Sequence, residues 1–528
     1  MKKIDSINAA VAAQLNGITD NQIILWFDDL VGSNNMTQFG ELFRATFEYK
    51  KEWAGFLKDK FIKSEPSIAL LQEMVYAYQN AGHYDQYYRP LSMMINHDDF
   101  NTLTLLNQVS AIVKLAYLQY IGYSNLTADI APKEALKNFQ KAREHDGFKE
   151  RKAVAQAESI YRIARLQNEG FSDLDIHEAK QEAYTNFQTV RKHDGFGALQ
   201  AVDQAFTLYN IAMLQLVGYS DLDLGGAKRE ALKNFQLAQA HNGFHGVWPV
   251  DQASTIYWIA QLQYDGFSHL CPKEAKEEAL RHYKEVRVHG AFERLADVIQ
   301  AHTLYSIACL LKERGTAEGE KEAFIYFQQA RMHGGFLKLS NLRQAVAIFY
   351  IAQLQYDGYS SLNPTESKQR ALRDFKQVRA HNGFGDIKAV FQALTISMIA
   401  TLQAYSANTI ESKKIALKNF QDATRHTRFE DLTDDIKSSV LINMGVLYEI
   451  YKFGLEDALE RALDSYRRVA EDSKNSQVAN ANIQRVEAKI QRISVQKAAL
   501  SLVSLGSNRQ ASSSDKEYGN PAKKPRCT

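Results

Sequence analysis

One phrase recurs seven times along this chain and governs what it can fold into. It reads EALKNFQKAREHDGF at Glu134–Phe148, EAYTNFQTVRKHDGF at Glu182–Phe196 and EALKNFQLAQAHNGF at Glu230–Phe244, and four looser copies follow. A histidine near its end marks the register: His145, His193, His241, His289, His333, His381 and His426, at intervals of 44–48 residues. Self-similarity at such a period marks stacked supersecondary units, none of which buries its apolar face alone. Most of the 528 residues are therefore expected to form one repeat array rather than several unrelated domains.

The unit Ala157–Phe196 shows how a copy is built. Ile160, Tyr161, Ala164 and Gln167 fall near one face of a first helix, with Ile163 and Leu166 beside them. Gly170 ends that helix, since glycine accepts the left-handed conformation a C-terminus favours. Ser172 or Asp173 is expected to cap the second helix. There Ala183, Phe187 and Val190 recur at i, i+4 and i+7, an apolar stripe. Asp194–Gly195 reads as the stop, with Phe196 folding back in the manner of a Schellman cap. His193 is expected to favour the helix dipole and meet free carbonyls. Only eight prolines and the lack of alternating strand-like runs point to a nearly all-α protein.

The unit resembles the Sel1-like repeat, a relative of the tetratricopeptide repeat. Ile211-Ala212, Gln215 and Gly218 stand at the positions of that family's first-helix motif, and Ala231, Asn234-Phe235, Ala238 and Gly243 at those of its second. Here Ala replaces the family's first Gly, Gln its Tyr and Asn its Trp, and the unit is longer. The resemblance covers about Gln108 to Val469. It implies a right-handed α-solenoid of stacked antiparallel helix pairs, a Sel1/TPR-like superhelix. The expected domains follow the repeats. Residues 1–100 carry no copy of the phrase and read as an N-terminal helical cap or small helical domain. Its segments are TQFGELFRATFEYKKEWAGFLKDKFI, PSIALLQEMVYAYQNAG and YDQYYRPLSMMINHDDF. Residues 101–470 hold seven clear units and an eroded eighth at Gly445–Val469. Residues 471–506 read as one amphipathic capping helix, and 507–528 as a disordered polar tail.

Charge and motifs exclude several function classes. With 63 basic and 61 acidic residues, the formal charge of +2 gives no footprint for nucleic acid, so none is expected as a partner. No run approaches the roughly 20 apolar residues of a spanning helix, so no membrane insertion is expected. The start, MKKIDSINAAVAAQLNG, lacks a Sec-type signal core because Asp5 and Asn8 interrupt it. The expected location is the cytoplasm. The alternatives are export into a host cell through a C-terminal signal and nuclear import through KKPR at Lys523–Arg526. Cys271, Cys309 and Cys527 are odd in number and scattered, as reduced thiols would be. No HExxH, phosphate loop or GxSxG is present, and no cofactor is expected. The histidine column is not a metal rail: packed helices lie about 8–10 Å apart, and two zinc ligands each need about 2.0–2.1 Å. His83, Tyr84, Asp85, His97 and Asp98 cluster in sequence and leave open an enzyme hidden in the first 100 residues.

The repeats also differ, and their differences are ordered. In the first helix the columns through Ile163 and Ala164 hardly change. Three other columns change freely, running Lys114, Arg162, Asn210, Trp258, Ser306, Tyr350, Met398; then Tyr117, Arg165, Met213, Gln261, Cys309, Gln353, Thr401; then Ile121, Glu169, Val217, Asp265, Glu313, Asp357, Tyr405. Within a unit they lie at i, i+3 and i+7, one stripe of one helix. Stacking demands the constant columns and leaves the variable stripe free, either to drift on a solvated face or to bind. Trp, Tyr, Met and Arg are enriched at binding hot spots, which favours binding. The candidate site is thus a concave groove formed by Lys114, Tyr117, Arg162, Arg165, Asn210, Met213, Trp258, Gln261, Tyr350 and Gln353. Its expected occupant is a protein or peptide, of mixed apolar and acidic character given Arg162 and Arg165. The expected function is a non-enzymatic scaffold or adaptor. Besides the hidden enzyme, the alternative is a secreted effector of an intracellular bacterium that binds host proteins, a class in which Sel1-like arrays are frequent.

Overall fold

A computed structural model describes residues 66–80, 84–451, 457–469 and 475–511, together with Leu25. Every regular element among them is a helix. They fall into two compact units that part between Val286 and Arg287. The first holds α1 (Ile68–Asn80), α2 (Tyr84–Ile95), α3 (Leu105–Tyr120), α4 (Ala131–Glu144), α5 (Ala153–Asn168), α6 (Ile176–Lys192), α7 (Ala201–Leu216), α8 (Leu224–Ala240), α9 (Pro249–Tyr264) and most of α10 (Pro272–Val288). The second holds α11 (Asp297–Arg314), α12 (Ala317–Met332), α13 (Asn341–Tyr356), α14 (Pro364–Ala380), α15 (Ala389–Ser406), α16 (Ile410–Thr424), α17 (Asp434–Tyr451), α18 (Ala458–Arg467) and α19 (Ser476–Ala511). Short loops join consecutive helices into antiparallel hairpins. Within each unit the hairpins stack in chain order, the architecture of an α-solenoid.

The two ends of a hairpin are built differently. First helices stop at left-handed glycines, among them Gly170 at φ 87° and Gly218 at φ 93°. Gly170 N–H donates to Gln167 O and Phe171 N–H to Leu166 O, the Schellman pattern. That cap therefore sits at the end of the first helix, and not at His-Asp-Gly-Phe where the sequence suggested it. The second helix is capped at its start by Asp175, whose carboxylate accepts from His177 and Glu178 N–H; Ser172 instead accepts from Leu174 N–H.

At the end of α6, His193 takes an extended backbone (φ −74°, ψ 139°) and Phe196 N–H donates to its carbonyl. Gly195 has an ordinary φ of −79°. It is glycine because a Cβ there would lie 2.2 Å from Ala153 O at the start of α5. Where Ala291 takes this place, φ moves to −100°.

The histidine ring acts as an acceptor. In all seven copies Nδ1 accepts the backbone N–H two residues on. It caps the turn, so the dipole role expected for it does not apply. In four copies Nε2 faces a glutamine Oε1 at 3.0–3.3 Å: His145 with Gln108, His241 with Gln204, His333 with Gln300, His381 with Gln344. With Nδ1 accepting, the ring proton is on Nε2 and is donated to that glutamine. The same glutamine's Nε2 donates to the carbonyl that closes the preceding turn, Leu103, Leu199, Leu295 or Leu339. One side chain thus ties a helix start to the turns before and after its own hairpin.

A second ladder joins the second helices. Arg143 donates to Asn186 Oδ1 at 2.7 Å, and Asn186 Nδ2 donates to Gln167 Oε1 at 2.8 Å. Arg191, Asn234 and Gln215 repeat it, as do Arg379, Asn419 and Gln403. Where Asp374 replaces the asparagine it accepts from Arg331, but it has no amide to offer, and the buried Gln355 Oε1 has no hydrogen-bond partner. Beside the ladder lie Phe187, Phe235, Phe327, Phe375 and Phe420, each wholly buried.

The repeat plan also begins earlier than the phrase. After α1 and α2, His97 Nδ1 accepts from Asp99 N–H, Phe100 N–H donates to His97 O, and Phe100 is buried. His97 and Asp98, read as part of a possible site, belong to this turn; His83 and the segment 37–62 lie outside the described residues. At the other end α19 runs to Ala511, and KKPR lies outside the described residues. The buried Glu449 of α17 holds α19 through Arg485 and Lys489 at 2.6–2.9 Å. Arg485 first, with Lys489, pulls its pKa down to about 2.

Two outcomes are expected. Gln204→Ala leaves His241 Nε2–H and the Leu199 carbonyl without their partner and should cost about 1–3 kcal/mol. A double-mutant cycle with His241→Ala, read by denaturant midpoints, should be markedly non-additive; additive costs would show that the bridge carries no energy. A carboxyl depressed in the folded state stabilises above its unfolded pKa and loses that contribution as pH falls through the folded value. Hydrogen-exchange protection of α19 should therefore decline from about pH 4.5 towards pH 2, and Glu449→Gln should remove that dependence.

Candidate binding surface on the first helices

The stripe residues are less free than their variability suggested. Lys114 Nζ donates to Gln79 Oε1 of α1 at 2.6 Å, and desolvation lowers its pKa. Tyr117 is about one-third exposed. The Arg162 guanidinium lies 4.9 Å from the Tyr120 ring centre, 5.4 Å from Tyr161 and 5.8 Å from Tyr117. Arg165 lies 5.3 Å from Phe206, 5.5 Å from Trp248 and 5.7 Å from Tyr120. Each arginine is also paired on its own helix, Arg162 with Glu158 at 3.4 Å and Arg165 with Glu169 at 2.7 Å. Their side chains are only 14% and 19% exposed. They complete internal cation–π and ion-pair contacts, so the inference of an acidic ligand loses its two free cations.

Asn210 is buried; it donates to Phe206 O and accepts from Asn168. Met213 and Trp258 pack half-buried against the cluster containing Phe235 and Ile259. Gln261 is buried and accepts from the Tyr283 hydroxyl. Tyr350 stands among Phe327, Phe349 and Phe391 with ring centres 5.4–5.9 Å away, and desolvation pushes its hydroxyl up to about 12. Gln353 is half-buried beside a cavity.

Part of the variation is coupled packing between neighbouring hairpins. Tyr161 lies beside Asp203, and Tyr209 beside Asp251; burial first, and then the nearby carboxylate, raises each tyrosine's pKa. At the same register in the second unit Phe349 stacks on Phe391 at 4.8 Å. A polar pair in these two places is an apolar pair in the third.

Successive first helices nonetheless approach one another on one side in each unit. In the first, Arg165 of α5 reaches Trp248 at the start of α9, two hairpins on. In the second, a cavity of about 450 Å³ is bordered by α13, α15 and α17, with Gln353, Asp357, Met398 and Thr401 of the variable stripe in its lining. The lining also holds residues outside that stripe, among them Phe375 of α14, Leu394, Ile436 and Ser439. Among the described residues no group of three or more His, Cys, Asp or Glu is placed to hold a metal, and no helix is long and apolar enough to cross a membrane.

No family model matches the chain, and no curated protein does. A solved structure described as a Rap protein complexed with competence and sporulation factor is similar over 75% of this chain and 98% of that one, at 11% identity and a TM-score of 0.25. A likeness at that level carries no functional argument.

The packing around Tyr350 makes a prediction. Tyr350→Ala should lower unfolding stability by about 3 kcal/mol, whereas Gln353→Ala should change it by less than about 1 kcal/mol. Denaturant midpoints measure both. Truncating Trp258 and Tyr350 is therefore no clean probe of binding, because the fold loses contacts too.

Proposed function

We propose that this chain binds a protein or peptide segment on the inner side of its first helices, as a scaffold or adaptor rather than as an enzyme. The observation that carries the reading is the cavity between α13, α15 and α17. Three successive first helices contribute variable-stripe or adjacent residues to one open space, and repeat arrays characteristically bind along such surfaces. Its walls combine apolar Phe375, Leu394 and Met398 with polar Gln353, Thr401 and Ser439, the mixture that lets a pocket take an amphipathic side chain and fix its orientation.

The test is a selection from a displayed peptide library on the intact chain, followed by calorimetry with the enriched peptides. Combining Gln353→Ala with Met398→Ala should weaken them by at least about tenfold while circular dichroism stays unchanged. A selection that returns no peptide, or peptides that bind the double variant with unaltered Kd, would sink the reading.

A further inference from the structure

The glutamine that opens each first helix gives a common register for comparing the inner side of the two units. Arg165 stands nine residues after Gln156 and Glu169 thirteen after it; Phe206 is two after Gln204, and Asp251 one before Gln252. These positions form a diagonal across three successive first helices. In the first unit Arg165 fills it, with its guanidinium against Phe206 and Trp248 and its Nε on Glu169 at 2.7 Å.

The same diagonal exists in the second unit. Gln353 stands nine after Gln344 and Asp357 thirteen after it; Leu394 is two after Gln392, and Ile436 one before Lys437. Lys437 occupies the glutamine's place, since its Nζ donates to the carbonyl seven residues back, Glu430 O, as Gln252 does to His245 O. The arginine is gone: Gln353 stands in its place, with Leu394 for Phe206 and Thr433 for Trp248, and a cavity of about 450 Å³ opens beside it. The carboxylate position has stayed acidic: Asp357 is the counterpart of Glu169. Asp357 and Asp435 both line the cavity, and among the described residues no basic side chain does.

We propose that this cavity is a subsite for an arginine side chain of the bound segment, which would lie where Arg165 lies in the first unit. The inference rests on the peptide-binding reading above and gives it a chemistry. Phe375, Leu394, Met398 and Ile436 offer walls for the aliphatic stem, and Asp357 offers the acceptor for a planar guanidinium. Desolvation holds the Asp357 carboxyl above its usual range, as a carboxyl short of cations would be; Lys312, which pulls the other way, is itself bound by Glu320.

The experiment uses the intact chain carrying 13C-methyl methionine, with the Met398 signal assigned through Met398→Leu. The probes are blocked synthetic pentapeptide pools with a fixed central arginine, lysine or citrulline. The arginine pool should shift the Met398 methyl saturably, and the citrulline pool, which keeps the shape without the charge, should be at least about tenfold weaker. Asp357→Asn should lose the arginine response. Gln353→Arg should reach into the cavity towards Asp357 from within, moving the Met398 signal without peptide, blocking the pool and leaving thermal stability at least unchanged. Equal shifts from arginine and citrulline, a response that survives both variants, or no shift from any pool would each overturn the subsite. Peptides selected independently that still bind the inner side would then show that only the arginine assignment had failed. Preference for lysine over arginine would likewise overturn it in favour of a plain ammonium site.

Discussion

The stack depends on one amide, buried at Gln108, Gln300 and Gln344 and half-buried at Gln204. A glutamine at the start of a first helix receives the histidine proton from the end of its own hairpin and donates to a carbonyl of the preceding turn. Where the glutamine is buried, the bridge is stabilising chiefly because leaving it unmade is costly. Its geometry fixes the distance between a closing turn and the helix start beneath it. That distance is short enough that Gly243 would place a Cβ 2.0 Å from Ala201 O. The near-constant His-x-Gly-Phe ending is thus one constraint expressed at several positions: an acceptor ring, a missing side chain and a buried phenyl.

Much of this was legible in the sequence because stacking repeats its demands. The period, the helix pairs, the left-handed stop at Gly170 and the apolar stripe of Ala183, Phe187 and Val190 all follow from pattern. The role of the histidine did not, because a ring that accepts a backbone N–H and one that donates to a helix carbonyl have the same sequence neighbours. The glutamine column, Gln108 through Gln392, was visible as an invariant yet lies inside a helix whose apolar period drew attention elsewhere. Its fixed spacing from the histidine, 37 residues in three of the four bridged units and 33 in the shorter one, is the signal that would have found it. His97–Phe100 escaped for the opposite reason: it keeps only the closing turn of the phrase.

The variable stripe was legible in the sequence and its burial was not. Variation among repeats marked the inner stripe, but a single column does not reveal which residue of the next hairpin it faces. Tyr161 and Asp203, or Phe349 and Phe391, vary as pairs across an interface. Arg162 and Arg165 looked like charges offered to a ligand until Glu158, Glu169 and the surrounding rings accounted for them. Variability in a repeat therefore has a third cause besides drift and binding: exchange of one complementary contact for another.

That exchange explains how such an array can acquire a site without losing its fold. The position nine residues after the opening glutamine belongs to neither ladder, so its side chain is not needed for the bridge, the arginine relay or the phenylalanine core. Filled by an arginine, it completes contacts among three helices; as Gln353, with Leu394 and Thr433 where the first unit has Phe206 and Trp248, it borders a cavity whose walls are held by stacked neighbours. A pocket of this kind needs no new backbone geometry, only smaller side chains at a few positions that the ladders do not use.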